Sequence, residues 1–259
     1  MSAPLVTYLG DSNLKVAFLA EITKHETEDA LIKGSYGQMK GTFKGCAIGC
    51  ALHSLNLLHG KTGPASTEAT AAHHRFEAEL GLPTWFAYLE DQLFELLPGD
   101  LARTWPRRIA EAIPVGAVVD DMMLATILRW TLADPEWGVR YATDDDEIRG
   151  NIDIIVAAFD VELATGRRVS ADQREAATRA ARATRAARAA WAAWNARATR
   201  DARDAWAAWA ASSQASDEHS SLGKADAFIT TLSEFVLTLL RTLPTTTQGG
   251  DGRESPALP

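Results

Sequence analysis

Residues 177–211 read ATRAARATRAARAAWAAWNARATRDARDAWAAWAA, with Arg or Trp at every third position from 179 to 209. Alanine at most of the intervening positions makes helix the expected state. A period of three does not match 3.6 residues per turn, so the Arg/Trp stripe drifts by roughly 60° per triplet and winds around the helix. It presents no constant face. That excludes a heptad coiled coil and an ordinary amphipathic helix, and it predicts that successive sections of the tract meet different neighbours.

The remainder of the chain is also patterned for helices. Segment 14–32 carries Leu14, Phe18, Ile22 and Ile32 at mostly helical spacing until Gly34 and SYGQ break it. An apolar run from near Gly45 to Leu58 stops at HGKTGPAST, where Gly and Pro require a loop. In LPTWFAYLEDQLFELLPG, Thr84 is the expected N-cap after Pro83, Trp85, Leu89, Leu93 and Leu96 share a face, and Pro98-Gly99 ends the helix. Helices are expected over 100–112 and 121–133, joined by AIPVGAVVD, the stretch with some strand character. Segment 148–163 aligns Ile148, Ile152, Ile155, Val156, Phe159 and Leu163 behind the acidic ATDDDE. A last helix carries Phe228, Leu232, Phe235, Leu239 and Leu243. Period-2 alternation is nearly absent. The expected fold class is all-α: a helical body over 1–170, a long triplet-repeat helix plus a packed C-terminal helix over 171–244, and a disordered tail over 245–259.

With 259 residues, 46% of them hydrophobic, the chain can bury a sizeable core. Its formal charge of −8 argues against general adhesion to nucleic acid or to a membrane surface. The charge is uneven, because residues 174–211 hold eight arginines against three acids. A basic arm therefore sits on an acidic body. Arg with interleaved Trp suits phosphate contact and base stacking. It suits equally well docking on the acidic body or on a second copy, with Trp191, Trp194, Trp206 and Trp209 buried. Docking is favoured, since four exposed tryptophans would promote aggregation, and a homo-oligomer follows, with nucleic acid not expected as a partner. The opening MSAPLVTYLGDSNLK lacks the charged and then apolar pattern of a secretory signal, and the longest apolar stretch, 227–240, is too short to span a bilayer. A cytoplasmic protein without membrane association is expected.

Both cysteines fall in KGCAIGC at 44–50. If a helix starts near Lys44, then Cys46, Cys50 and His53 lie at i, i+4 and i+7 on one face, and His73, His74 or Glu77 would complete a metal site. A thiolate nucleophile favoured by the helix N-terminus and Lys44 is a second reading. The third is packing, since Gly41, Gly45 and Gly49 form a small-residue face on which the cysteines act as small hydrophobes. Packing is the expectation, with no catalytic residue, metal or cofactor assigned. Two segments are candidates for an anion. KGTFKG brings Lys40, Lys44 and the backbone at Gly45 to a helix N-terminus. RTWPRR combines Arg103, Trp105 and Arg107, two cations flanking an aromatic plate, with Arg108 following. Glu90 and Asp91 are expected on a solvated edge.

KGSYGQMKGTFKGCAIGCALHS, HHRFEAELGLPTWFAYLEDQLFELLP, WPRRIAEAIPVGA and the alanine-rich tract resemble, in this order, a group of small helical proteins encoded by bacteriophages and prophages. These typically carry a Gly-Cys-Ala-Val-Gly-Cys segment; here Ile48 takes the place of Val, and the loop at 59–72 is longer. The resemblance implies a viral context in an infected host cell and transfers no catalytic residues. Together with the two anion signals it leads to the expectation of a binder that sequesters a nucleotide-type immune signal to counter host defence, through Lys40, Lys44, Gly45, Arg103, Trp105 and Arg107. The alternatives are a direct protein inhibitor of a host factor, a cysteine- or metal-dependent hydrolase, and a nucleic-acid binder.

Overall fold

The computed structural model describes residues 5–35, 37–40, 42–61, 73–142, 146–183 and 218–245. The fold is all-α with one small hairpin. In chain order the helices are α1 (Ser12–Thr27), α2 (Ala47–Leu58), α3 (Arg75–Leu80), α4 (Thr84–Leu96), α5 (Gly99–Ala112), α6 (Asp121–Ala133), α7 (Asp146–Thr165), α8 (Ala171–Ala183) and α9 (Glu218–Arg241). Strands β1 (Gln38–Lys40) and β2 (Thr42–Lys44) pair antiparallel, Met39 opposite Phe43.

Helix α1 starts where the Asp11 carboxylate accepts from the Asn13 amide, and it ends five residues short of the expected Ile32. Asp29 takes a positive φ of 51°, and the chain then runs extended, so that Leu31 bridges Gly45. The hairpin was not legible in the sequence, because three-residue strands are too short to establish alternation. Thr84 opens α4 but does not cap it with its own side chain. Its amide and hydroxyl both donate to Glu77, at 2.9 and 2.5 Å, so a carboxylate from the preceding helix satisfies the new N-terminus. Gly81 ends α3 at φ +64°, and a Cβ there would lie 1.9 Å from the Val6 carbonyl oxygen. Only glycine permits both the left-handed turn and that approach.

Helix α4 packs against α2, α3, α5 and α9, and is buried nearly all round. Helix α1 lies across α2 and α5. On α7 the expected face is seen, with Ile152, Ile155 and Phe159 buried and Ile148, Val156 and Leu163 half-buried. Helix α9 returns to the body, placing Phe228, Leu232, Val236, Leu237 and Leu240 in the same core as α4 and α5. Of the triplet tract, residues to Ala183 lie in α8, where Ala177 and Ala180 are buried. The four tract tryptophans, the continuity of that helix and the tail from 246 lie outside the described residues. No described helix is long and apolar enough to cross a membrane.

Candidate metal centre

The segment KGCAIGC reaches its final geometry through the N-cap of α2. Cys46 is extended, with φ −67° and ψ 178°, and its sulfur accepts from the Gly49 amide at 3.5 Å. The backbone before it is fixed: Gly45 N–H donates to Ala30 O, Ile32 N–H to Gly45 O, and Cys46 N–H to Ser35 O. These bonds aim the Cys46 side chain at α4. There Asp91 and Glu95, one helical turn apart, point the same way. Cys46 Sγ, an Asp91 carboxylate oxygen and a Glu95 carboxylate oxygen all lie within 4.8 Å of one another. Cys46 and Asp91 are buried, Glu95 half-buried.

Each member has a supporting partner. Glu95 accepts from the Gly34 amide, at 2.9 and 3.0 Å to its two oxygens. Behind Asp91 stands His73, with Nε2 3.8 Å from Oδ2, 1% exposed and stacked on Tyr88 at a centroid distance of 4.0 Å. Burial pushes the Cys46 thiol well up, and the Asp91 and Glu90 carboxylates push it further. With no ion bound it is a thiol. Its electrostatic neighbours are carboxylates, which weighs against the nucleophile reading, because a reactive thiolate is favoured by a cationic neighbour.

The expected trio on one helix face divides among three environments. Cys50 points its thiol at the Gly45 and Ala30 carbonyls, 3.5 and 3.9 Å away, and burial pushes its pKa up to about 12. His53 turns to α1 and pairs with His25, Nδ1 to Nε2 3.3 Å. His74 meets the Thr84 hydroxyl at 3.1 Å, and Glu77 caps α4. Glu90 and Asp91, expected on a solvated edge, are each 4% exposed, because α4 is enclosed by four helices. Burial, with the Asp91 charge beside it, raises the pKa of Glu90 well above the ordinary carboxylate range. Burial therefore favours the protonated form of Glu90, which lines an apolar cavity that includes Tyr8, Phe18, Phe86 and Ile109.

The expected anion site is placed differently from its residues' sequence reading. Trp105 is fully buried and donates its indole N–H to Glu90 O at 3.2 Å, so its ring is part of the core and not a plate for a ligand. Arg107 is held by Glu26 at 2.7 Å and Glu111 at 2.9 Å, and Arg108 by Glu234 at 2.6 Å. RTWPRR therefore staples α5 to α1 and α9. The Gly45 amide is already bonded to Ala30 O and is closed to a phosphate. Arg103 is exposed, 3.6 Å from Asp100, and Lys44 is half-buried; the Lys40 side chain lies outside the described residues. Glu95 is the candidate residue that sequence reasoning missed, and Asp91 was named there but assigned to a solvated edge. Their i, i+4 spacing in LEDQLFE was the available signal.

Comparison with protein-family models, with curated proteins and with solved structures finds no match. Function has to be argued from the geometry.

Proposed function

We propose that this chain binds one divalent transition-metal ion through Cys46, Asp91 and Glu95, with zinc the ion that best suits the donor set. The observation that carries the reading is the convergence of a thiol and two carboxylates within 4.8 Å in the protein interior. Three ionised donors so close would repel strongly in a low-dielectric site, and a divalent cation removes that cost. A thiolate disfavours magnesium and calcium, which take oxygen donors, and mixed sulfur and oxygen ligation suits zinc. Donors on a tetrahedral zinc at about 2.0–2.3 Å stand roughly 3.3–3.8 Å apart, so donors no more than 4.8 Å apart need to close by at most about 1.5 Å on binding. His73 Nε2, 3.8 Å from Asp91 Oδ2, is placed to become the outer partner of Asp91 when the ion binds. Three protein ligands leave one tetrahedral position for water or a substrate atom, the pattern of a reactive zinc site. The metal-dependent alternative gains over nucleotide capture, which loses Trp105, Arg107 and the Gly45 amide to structural roles.

The test is metal content and cobalt substitution on the full chain. One equivalent of zinc is expected by elemental analysis, and Co²⁺ should give an intense near-ultraviolet thiolate-to-metal band. Cys46→Ser should remove the band and the stoichiometry while circular dichroism stays helical, and His73→Gln should weaken binding by about 10–100-fold. Absence of stoichiometric zinc or cobalt uptake, or uptake unchanged in both Cys46→Ser and Asp91→Asn, refutes the reading.

A further inference from the structure

The middle of α2 carries a second polar cluster, and it adjoins the strand that leads to Cys46. His25, 5% exposed, meets His53 through Nε2 and Nδ1 at 3.3 Å, and its own Nδ1 has no hydrogen-bond partner. Phe43 of β2 lies flat on His53, with centroids 4.1 Å apart and planes 2° from parallel, and meets His25 edge-on at 5.7 Å. Gly37 closes over the same ring: a Cβ there would be 2.6 Å from Phe43 Cε2. Phe43 is thus the pin of β2, and its two ring contacts on the helices are imidazoles.

We propose that the His25–His53 pair is a proton-operated latch, which seats Phe43 while both imidazoles are neutral and releases β2, with the adjoining Gly45–Cys46 backbone, on proton uptake. A proton added at His25 enters a site where Nδ1 has no acceptor, and the charge must be buried or the strand must lift. The charged neighbours only partly relieve it. Glu21 and Lys24, both on α1, are paired with each other at 2.5 Å, α2 contributes His53, and β2 presents the uncharged Phe43 ring. Burial, with His53 next in size, lowers the His25 pKa to about 4; Glu21 acts in the opposite sense and Lys24 in the same. Burial lowers that of His53 as well, again against Glu21. An opened latch returns His25 to its ordinary pKa of 6.5. Opening therefore takes up a proton below that pH and becomes about tenfold easier per pH unit down to about 4, or roughly 30-fold between pH 7.5 and 5. The consequence for Cys46 access rests on the metal reading; the latch itself does not.

Hydrogen exchange on the metal-free full chain separates the two. The Gly45 and Cys46 amides, corrected for intrinsic exchange, should lose about 30-fold in protection between pH 7.5 and 5, while the Leu93 amide of α4 does not. His25→Gln should flatten that dependence to within about threefold, and His53→Gln, at a half-buried site, serves as the second variant should the first fail to fold. Imidazole NMR titration should place His25 well below 6.5. Equal pH dependence at Gly45, Cys46 and Leu93, or an unchanged slope in both variants, overturns the latch whatever the metal measurement gives.

Discussion

The N-terminus and the middle of α2 present opposite chemistry. At its N-terminus Cys46 meets the acids of α4, where burial favours the protonated form of Glu90; at its middle His53 meets His25 of α1, where burial favours the neutral imidazole. Both clusters resist charge, but one resists losing protons and the other resists gaining them. The same helix therefore carries one region suited to taking up a cation and one suited to sensing acid. Low dielectric alone does not decide what a buried polar group does; the sign of its neighbours does.

The largest expected effect breaks the imidazole region by removing its pin. Phe43→Ala should cost about 3–5 kcal/mol in denaturant unfolding, the range for a buried aromatic truncation. It empties the space over both imidazoles and exposes the partnerless Nδ1 of His25 to water. Exchange at Gly45 and Cys46 should then become pH-independent. A cost below 1 kcal/mol would mean that β2 adds little to the body, and the comparison between the two regions of α2 would collapse to one cluster.

How far this contrast was legible in the sequence depends on the residue. Helix periodicity placed α4, α6, α7 and α9 well, since their apolar stripes are long enough to show a 3.6 period. The spacing of Cys46, Cys50 and His53 also suggested a shared face, but one helical face is wide enough to meet several partners. Cys46 lies at the N-cap and reaches α4, Cys50 reaches backbone carbonyls, and His53 reaches α1. Spacing along one helix is silent about what packs opposite. The misreading of Trp105 has the same origin: flanking arginines marked a surface, yet Arg107 and Arg108 bind acids on α1 and α9 while the indole is buried and donates to Glu90 O of α4. Glu90 and Asp91 looked solvated because two adjacent acids usually are. Enclosure of α4 by four helices is a tertiary fact.

The next effect sharpens the comparison through pH. His25 has a folded pKa of about 4 against an ordinary 6.5, so the unfolded chain binds the extra proton between those values. Stability is lost as pH falls from 6.5 towards 4, by up to about 3 kcal/mol. For Glu90 the folded pKa is raised above the ordinary 4.5, so the unfolded chain releases its proton first and stability is lost as pH rises above 4.5. Between pH 4.5 and 6.5 the two slopes oppose each other. Glu90→Gln should remove the opposing slope and leave stability rising with pH across that interval, by about one proton's worth in urea melts. If the variant and the wild type show the same pH profile, the acid region does not titrate as its burial implies.

The smallest effect concerns Cys50, which lies between the two regions and belongs to neither. Cys50→Ala removes a small buried atom and should cost about 1 kcal/mol, the scale of one deleted methylene. Cys50→Ser should cost no more than that, because the Gly45 and Ala30 carbonyls that now face the thiol offer acceptors to a hydroxyl. Cys46→Ser differs in kind, since it replaces a soft donor among carboxylates by a hard one. Zinc content should therefore stay at wild-type level in Cys50→Ala and vanish in Cys46→Ser, although the two cysteines stand only one helical turn apart. Elemental analysis of the two purified variants reads this directly. Equal loss in both would place the ion on the shared cysteine face of α2 and move it away from Asp91 and Glu95.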